Sequence, residues 1–257
     1  MELNLDGAVV LVTGGVRGVG AGISRAFSRV GAVVVACGRR EPDTPMDGVE
    51  FLSCDVRDPE QVGRLVASIV ERHQRLDVVV NNAGGAPFAL AATASPGFHR
   101  KVVELNLLAP LLVSQAANSV MQGQSTGGSI VMVGSVSGRR PSPGTAAYGA
   151  AKAGLDNLTA SLAVEWAPKV RVNSLAVGMV RTELSHLHYG DDEGIAAVAR
   201  TVPLGRLAEP EDVGACAVFL ASPLASYVTG ASLVVHGGGE VPAFLAAANA
   251  NVVEEST

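Results

Sequence analysis

Tyr148 and Lys152 stand four residues apart in a stretch, Ala146 to Trp166, whose apolar spacing predicts a helix. A phenol and an ammonium at i and i+4 share one helical face. An ordinary tyrosine titrates near pH ~10, too high for ready proton exchange at neutrality, and a nearby cation stabilises the phenolate and lowers that value. The pair could therefore work as an acid or base and its tuner. Spacing alone reads more ordinarily as two solvated groups on a helix surface, so the surroundings must decide. Ser135 follows the apolar run Ile130-Val131-Met132-Val133, and Asn106 sits among Leu105, Leu107 and Leu108. Taken singly, the first is a loop serine and the second a buried polar residue in need of partners.

A second chemical feature lies near the start. Thr13-Gly14-Gly15-Val16-Arg17-Gly18-Val19-Gly20 links the first apolar run to a helical stretch containing Ala26 and Phe27. Glycines there remove side chains from a tight turn, and the free N–H groups and positive end of the helix attract a pyrophosphate. A structural turn is the competing reading; a strand before and a helix after select a dinucleotide. The next run, Val33-Val34-Val35-Ala36-Cys37-Gly38-Arg39-Arg40, ends without an acid to hold a ribose 2′-hydroxyl. Arg39 and Arg17 instead suit a 2′-phosphate, which predicts NADP(H). NAD(H) is the alternative, with Arg39 and Arg40 as solvated loop charges.

The elements that must position these groups alternate. Valine-rich runs at residues 8–12, 32–36, 78–80, 130–133, 170–175 and 232–235 read as buried strands. Residues 19–30, 59–73, 98–120, 146–166 and 211–220 carry helical periodicity between them. Such alternation predicts an α/β fold: a single-domain, Rossmann-type, doubly wound parallel sheet with helices on both faces and ligands beyond the carboxyl ends of the strands. One domain over residues 1–257 is expected, with a substrate lid at about residues 184–209 and a loosely held tail at 241–257.

Composition excludes several classes. A net charge of −5, without a long run among the nineteen Lys and Arg, argues against a nucleic-acid surface. Three scattered cysteines suit neither a disulfide framework nor zinc and fit a reducing cytoplasm. The acidic start before a short apolar run predicts no export signal and no membrane span. The five histidines form no helical HxxxH pair, so no metal is expected.

In order and spacing these landmarks resemble the short-chain dehydrogenase/reductase family, from about Leu5 to Gly239. The shared features are the glycine turn, Asp55-Val56, Asn81-Asn82-Ala83-Gly84, Asn106, Ser135, Tyr148, Lys152 and residues 173–182. The resemblance implies that Ser135 hydrogen-bonds the substrate oxygen, Tyr148 passes its proton, Lys152 lowers the tyrosine pKa and holds the ribose hydroxyls, and Asn106 supports a water-linked proton relay. It also implies that Asp55 accepts from the adenine amine, Val56 donates from its backbone, Asn82, Ala83 and Gly84 line the adenosine side, and Val180 and Thr182 approach the carboxamide. One departure stands out. Val177-Gly178 replaces the family's usual Pro-Gly, which adds freedom to the lid's entry.

The implied activity is hydride transfer between NADP(H) and a small-molecule carbonyl or secondary alcohol. A 3-oxoacyl thioester is one substrate class, with Arg139 and Arg140 placed to meet a phosphate. An NAD-dependent hydroxysteroid or other alcohol dehydrogenase is the other. A non-catalytic nicotinamide sensor would be betrayed by a degenerate site, whereas all four catalytic positions are present. The resemblance further implies a homo-oligomer, a tetramer built through the two long helices.

Overall fold

The computed structural model describes residues 3–248. Its first strand, β1 (Val9–Thr13), is buried along its whole length, with Val9 and Leu11 facing one core and Val10 and Val12 the other. That two-residue alternation with burial on both faces dictates a parallel sheet covered on both sides. After α1 (Gly18–Arg29) come β2 (Val33–Gly38), β3 (Val49–Ser53), α2 (Pro59–His73) and β4 (Val78–Asn81). The chain continues through α3 (Pro96–Val103), a π-helical turn (Glu104–Leu108), α4 (Ala109–Gly123), β5 (Gly128–Val133), α5 (Ala146–Trp166) and β6 (Val170–Val177). Short helices α6 (His186–Tyr189) and α7 (Asp192–Arg200) precede α8 (Pro210–Ala221), β7 (Ser232–Val235) and α9 (Ala243–Ala247).

The seven strands are all parallel, in the order β3-β2-β1-β4-β5-β6-β7. Strand order reverses at β1, between β2 and β4, and the crevice opens beyond their carboxyl ends. Leu65, Ile69, Val113 and Leu155 from α2, α4 and α5 cover one face, and Ile23, Phe27, Val213 and Ala217 from α1 and α8 cover the other. Burying side chains such as Leu11, Ile23 and Phe27, each 0% exposed, contributes roughly 1.5–3 kcal/mol apiece. Caps fix the helix starts: Asp58 accepts from the Glu60 and Gln61 N–H groups with Pro59 at the first position of α2.

Two elements differ from the sequence expectation. Strand β3 is half exposed at the sheet edge and carries Glu50, so its sequence has no continuous apolar run. The single helix expected over residues 98–120 is broken by the π-helical turn. Pro110 has no N–H to give to the carbonyl of Asn106, and the Asn106 side chain itself takes the Val102 carbonyl at 2.8 Å. The tail begins as an ordered segment: the Val241 N–H donates to the Thr201 carbonyl at 2.9 Å and α9 follows. The rest of the expected tail, 249–257, lies outside the described residues.

Candidate active site

The glycine turn leaves β1 with Gly14 at φ +63° and Gly18 at φ +49°, backbone that side chains with a Cβ rarely adopt. Gly20 is fixed by space: a Cβ there would lie 2.1 Å from the Gly14 carbonyl oxygen. The loop after β4 is stitched to this turn. The Thr13 hydroxyl accepts from the N–H groups of Asn82 and Ala83 at 3.0 and 2.9 Å, and the Asn82 amide donates to the Thr13 and Gly14 carbonyls at 2.9 and 3.2 Å. Asn81 points the other way, into the core, donating to Ser114 at 2.9 Å. Val16 and Val19 flank the turn half-buried, and Arg17 is exposed at the start of α1. The bare cradle fits a pyrophosphate, and Gly84 must lack a side chain, since a Cβ there would stand 2.7 Å from Asn106 Oδ1.

At the adenosine end, β2 runs out through Gly38 into exposed Arg39, and neither Arg17 nor Arg39 is ion-paired among the described residues. Val56 is buried. Asp55 is engaged by a neighbour, Arg57, which binds it through Nε at 2.9 Å and Nη2 at 2.6 Å and holds its carboxyl below the usual range. Sequence reasoning missed Arg57; two residues from Asp55, it was legible as a local partner.

Ser135 lies just beyond β5, where its hydroxyl accepts from the Ser137 N–H at 3.1 Å and reaches the Tyr148 phenol. On α5, Lys152 is 3% exposed, donates to the Val133 carbonyl at 2.7 Å and sits 5.6 Å from the centre of the Tyr148 ring. Burial pushes the lysine pKa down to about 8, with Asp156 opposing. Burial also pushes Tyr148 up, and Ser135, not Lys152, is the group that pulls it back. The protein's own atoms thus give Lys152 the task of placing a cation under the phenol, with burial the stronger influence on both groups. Asn106 is fully buried: its amide donates to the Gly85 and Val102 carbonyls at 2.9 and 2.8 Å and its oxygen accepts from the Gly85 N–H at 2.8 Å. It clamps the loop beside Lys152.

The comparisons with known proteins bear on this geometry. The sequence model described as Enoyl-(Acyl carrier protein) reductase matches residues 14–240. The chain belongs to the short-chain dehydrogenase/reductase family. It is 39% identical to rabbit L-fucose dehydrogenase, over 91% of this chain and 86% of that protein. It is 36% identical to the 3-oxoacyl-acyl-carrier-protein reductase FabG of Chlamydia pneumoniae, over 93% and 99%. The ligand-free aldohexose dehydrogenase of Thermoplasma acidophilum superposes with a TM-score of 0.87 at 29% identity, covering 93% of this chain and 96% of that one. This short-chain dehydrogenase/reductase is therefore an oxidoreductase acting on CH–OH groups.

Its substrate side departs from the family at Val177. Having an N–H where proline has none, Val177 continues β6 in register with Val235, and Gly178 then donates to the Val235 carbonyl at 2.9 Å. Val180 bridges to Ala208, and Thr182 lies against the glycine turn, its methyl 3.6 Å from where a Gly18 Cβ would be. The next residue, Glu183, accepts from the Gly18 N–H at 3.1 Å, a contact the sequence gave no hint of. A cavity of about 320 Å³ is lined by Val136, Met179, Val234, His236, Arg140 and Glu240, among others. Arg139 and Arg140, expected free to meet a phosphate, are each held by a carboxylate: Asp156 at 3.1 Å and Glu240 at 2.6 Å. Among the described residues no helix is long and apolar enough to cross a membrane, and no cluster of metal-ligating side chains is gathered.

Proposed function

We propose that this protein moves a hydride between NADP(H) and a small secondary alcohol or its carbonyl. The observation that carries the proposal is the convergence of Ser135, Tyr148 and Lys152 beside the bare glycine cradle, at the carboxyl edge of the sheet. When bound, the nicotinamide supplies or accepts the hydride. The Tyr148 phenol gives its proton to the developing alkoxide in reduction and takes it back in oxidation, with Ser135 donating to the same oxygen. Lys152 holds positive charge under the phenol and would meet the ribose hydroxyls. Asn106 keeps the loop at Gly84 and Gly85 in place and stands at the start of a water-linked proton path.

Exposed, unpaired Arg17 and Arg39 and the acid-free end of β2 support NADP(H) over NAD(H). Residues 184–209, carrying the half-buried Tyr189, serve as the substrate lid. A 3-oxoacyl thioester is the second substrate reading, favoured by the FabG relative. Against it, Arg139 and Arg140 are each already paired with a carboxylate, Asp156 and Glu240, that would repel a phosphate. The exposed Leu108 and Val164 on the two long helical segments support assembly into a homo-oligomer, a tetramer, and three free cysteines suit a reducing cytoplasm.

The test is Tyr148→Phe, assayed by absorbance of the reduced nicotinamide on a panel of carbonyls and alcohols. We expect kcat to fall about 10³-fold with the cofactor Kd unchanged. Full turnover in the variant would refute the assignment.

A further inference from the structure

Resting on the hydride-transfer reading above, we propose that the Arg140–Glu240 ion pair is a substrate-binding subsite that recognises hydroxyl groups remote from the reacting carbon, so that this enzyme prefers a compact, uncharged, polyhydroxylated substrate. The pair joins the loop after Ser135 to the segment after β7, one hundred residues away, at 2.6 Å, and both side chains line the cavity that begins at Val136 next to Ser135.

Its chemistry selects a kind of group. Both cations of the cavity are matched by a carboxylate, Arg140 by Glu240 at 2.6 Å and Arg139 by Asp156 at 3.1 Å, so a carboxylate or phosphate meets repulsion beside each attraction. Arg140 has five N–H donors and spends Nη2 on Glu240 and Nη1 on the Pro141 carbonyl at 3.4 Å, while Glu240 spends Oε1 and keeps Oε2 to accept. A hydroxyl, or two on adjacent carbons, both donates and accepts and so matches both halves at once. One more polar group extends the wall. His236 accepts from the Gly238 N–H through Nδ1 at 3.2 Å, which leaves Nε2–H as the donor of the neutral ring. Val136, Met179 and Val234 supply the apolar side for ring carbons. At about 320 Å³ the cavity is at the small end of the roughly 300–1,000 Å³ found for small-molecule sites. That suits a single sugar-sized ring better than a steroid.

The experiment compares kcat/KM on aldohexoses and their deoxy analogues with kcat/KM on cyclohexanol and on a short 3-oxoacyl thioester, for the wild type, Glu240→Gln, Arg140→Met and the double variant. We expect the wild type to favour the hydroxylated compounds. Each single variant should lose about 10- to 100-fold on them, chiefly in KM, through one lost charge-assisted hydrogen bond, and stay within about twofold on cyclohexanol. The double variant should be no worse than the worse single one, since the two groups act as a unit. NADP(H) binding, read by fluorescence, should not move. Turnover of cyclohexanol or the thioester with no gain for hydroxylated compounds, or equal losses on every substrate, overturns the subsite and leaves the hydride-transfer reading standing. No turnover of any alcohol or carbonyl with either cofactor sinks that underlying reading instead.

Discussion

Replacing Lys152 by methionine removes a buried charge while nearly keeping its shape, and the structure sets the size of the effect. The ammonium has an ordinary pKa of 10.5 and a folded one of about 8, so keeping it charged at neutral pH costs the fold roughly 3 kcal/mol. The bond to the Val133 carbonyl at 2.7 Å offsets about 1–2 kcal/mol of that. Lys152→Met should therefore stabilise the fold by roughly 1–2 kcal/mol at pH ~7 while abolishing turnover. Because the folded pKa lies below the unfolded one, the folded wild type binds fewer protons between about pH 8 and 10.5, and its stability gains on the unfolded chain as pH rises through that window. The variant cannot titrate there, so its advantage is full below pH ~8 and gone by about 10.5, where only the lost hydrogen bond remains. Urea melts of both proteins at several pH values measure this through the midpoint and slope. A variant less stable than wild type by the same amount at every pH would show that the buried charge costs nothing, and the reasoning would fail.

Three other outcomes follow from the site. Arg39→Ala should lower kcat/KM for NADPH about 10- to 100-fold and leave NADH within about twofold, read as a ratio of the two in one assay. Asn106→Ala removes three buried hydrogen bonds to Gly85 and Val102 and should cost about 2–4 kcal/mol, seen as a fall of several degrees in Tm. Glu183→Gln takes a negative charge from the Gly18 N–H where a pyrophosphate would lie, and should tighten NADP⁺ about two- to tenfold by isothermal titration calorimetry, with the gap narrowing at high salt.

Much of this was legible in the sequence because period and punctuation are local. The valine runs became strands, buried in every case but 232–235, which forms the edge strand β7 with Leu233 and Val234 exposed, and Pro59 behind Asp58 marked the start of α2 to the residue. What escaped depends on distance or exposure. Strand β3 is only half-buried at the sheet edge and carries Glu50, and so lacks the apolar continuity that betrays its neighbours. The π-helical turn needed Pro110 and Asn106 read together, as a missing donor beside an amide able to take a carbonyl. Arg139 and Arg140 looked like free charges because Asp156 and Glu240 are brought to them only by the fold. The Tyr148–Lys152 spacing correctly indicated proximity, but spacing says nothing of burial, which moves both groups more than they move each other.

The stitching of Thr13, Asn82 and Asn106 ties the cradle, the loop after β4 and the floor under Lys152 into one hydrogen-bonded unit built from residues upstream of β5. The cavity's outer wall comes instead from Met179, Val234, His236 and Glu240, joined to the rest partly by an ion pair at the surface. The outer wall and the stitched unit thus meet mainly at Thr182 and Glu183, which touch the glycine turn, and at the Arg140–Glu240 pair. Substitutions at Met179, Val234, His236 and Glu240 can reshape that outer wall while the stitched unit keeps its geometry, provided Thr182 and Glu183 are left in place, which makes those positions the ones to diversify in a directed search for new activities.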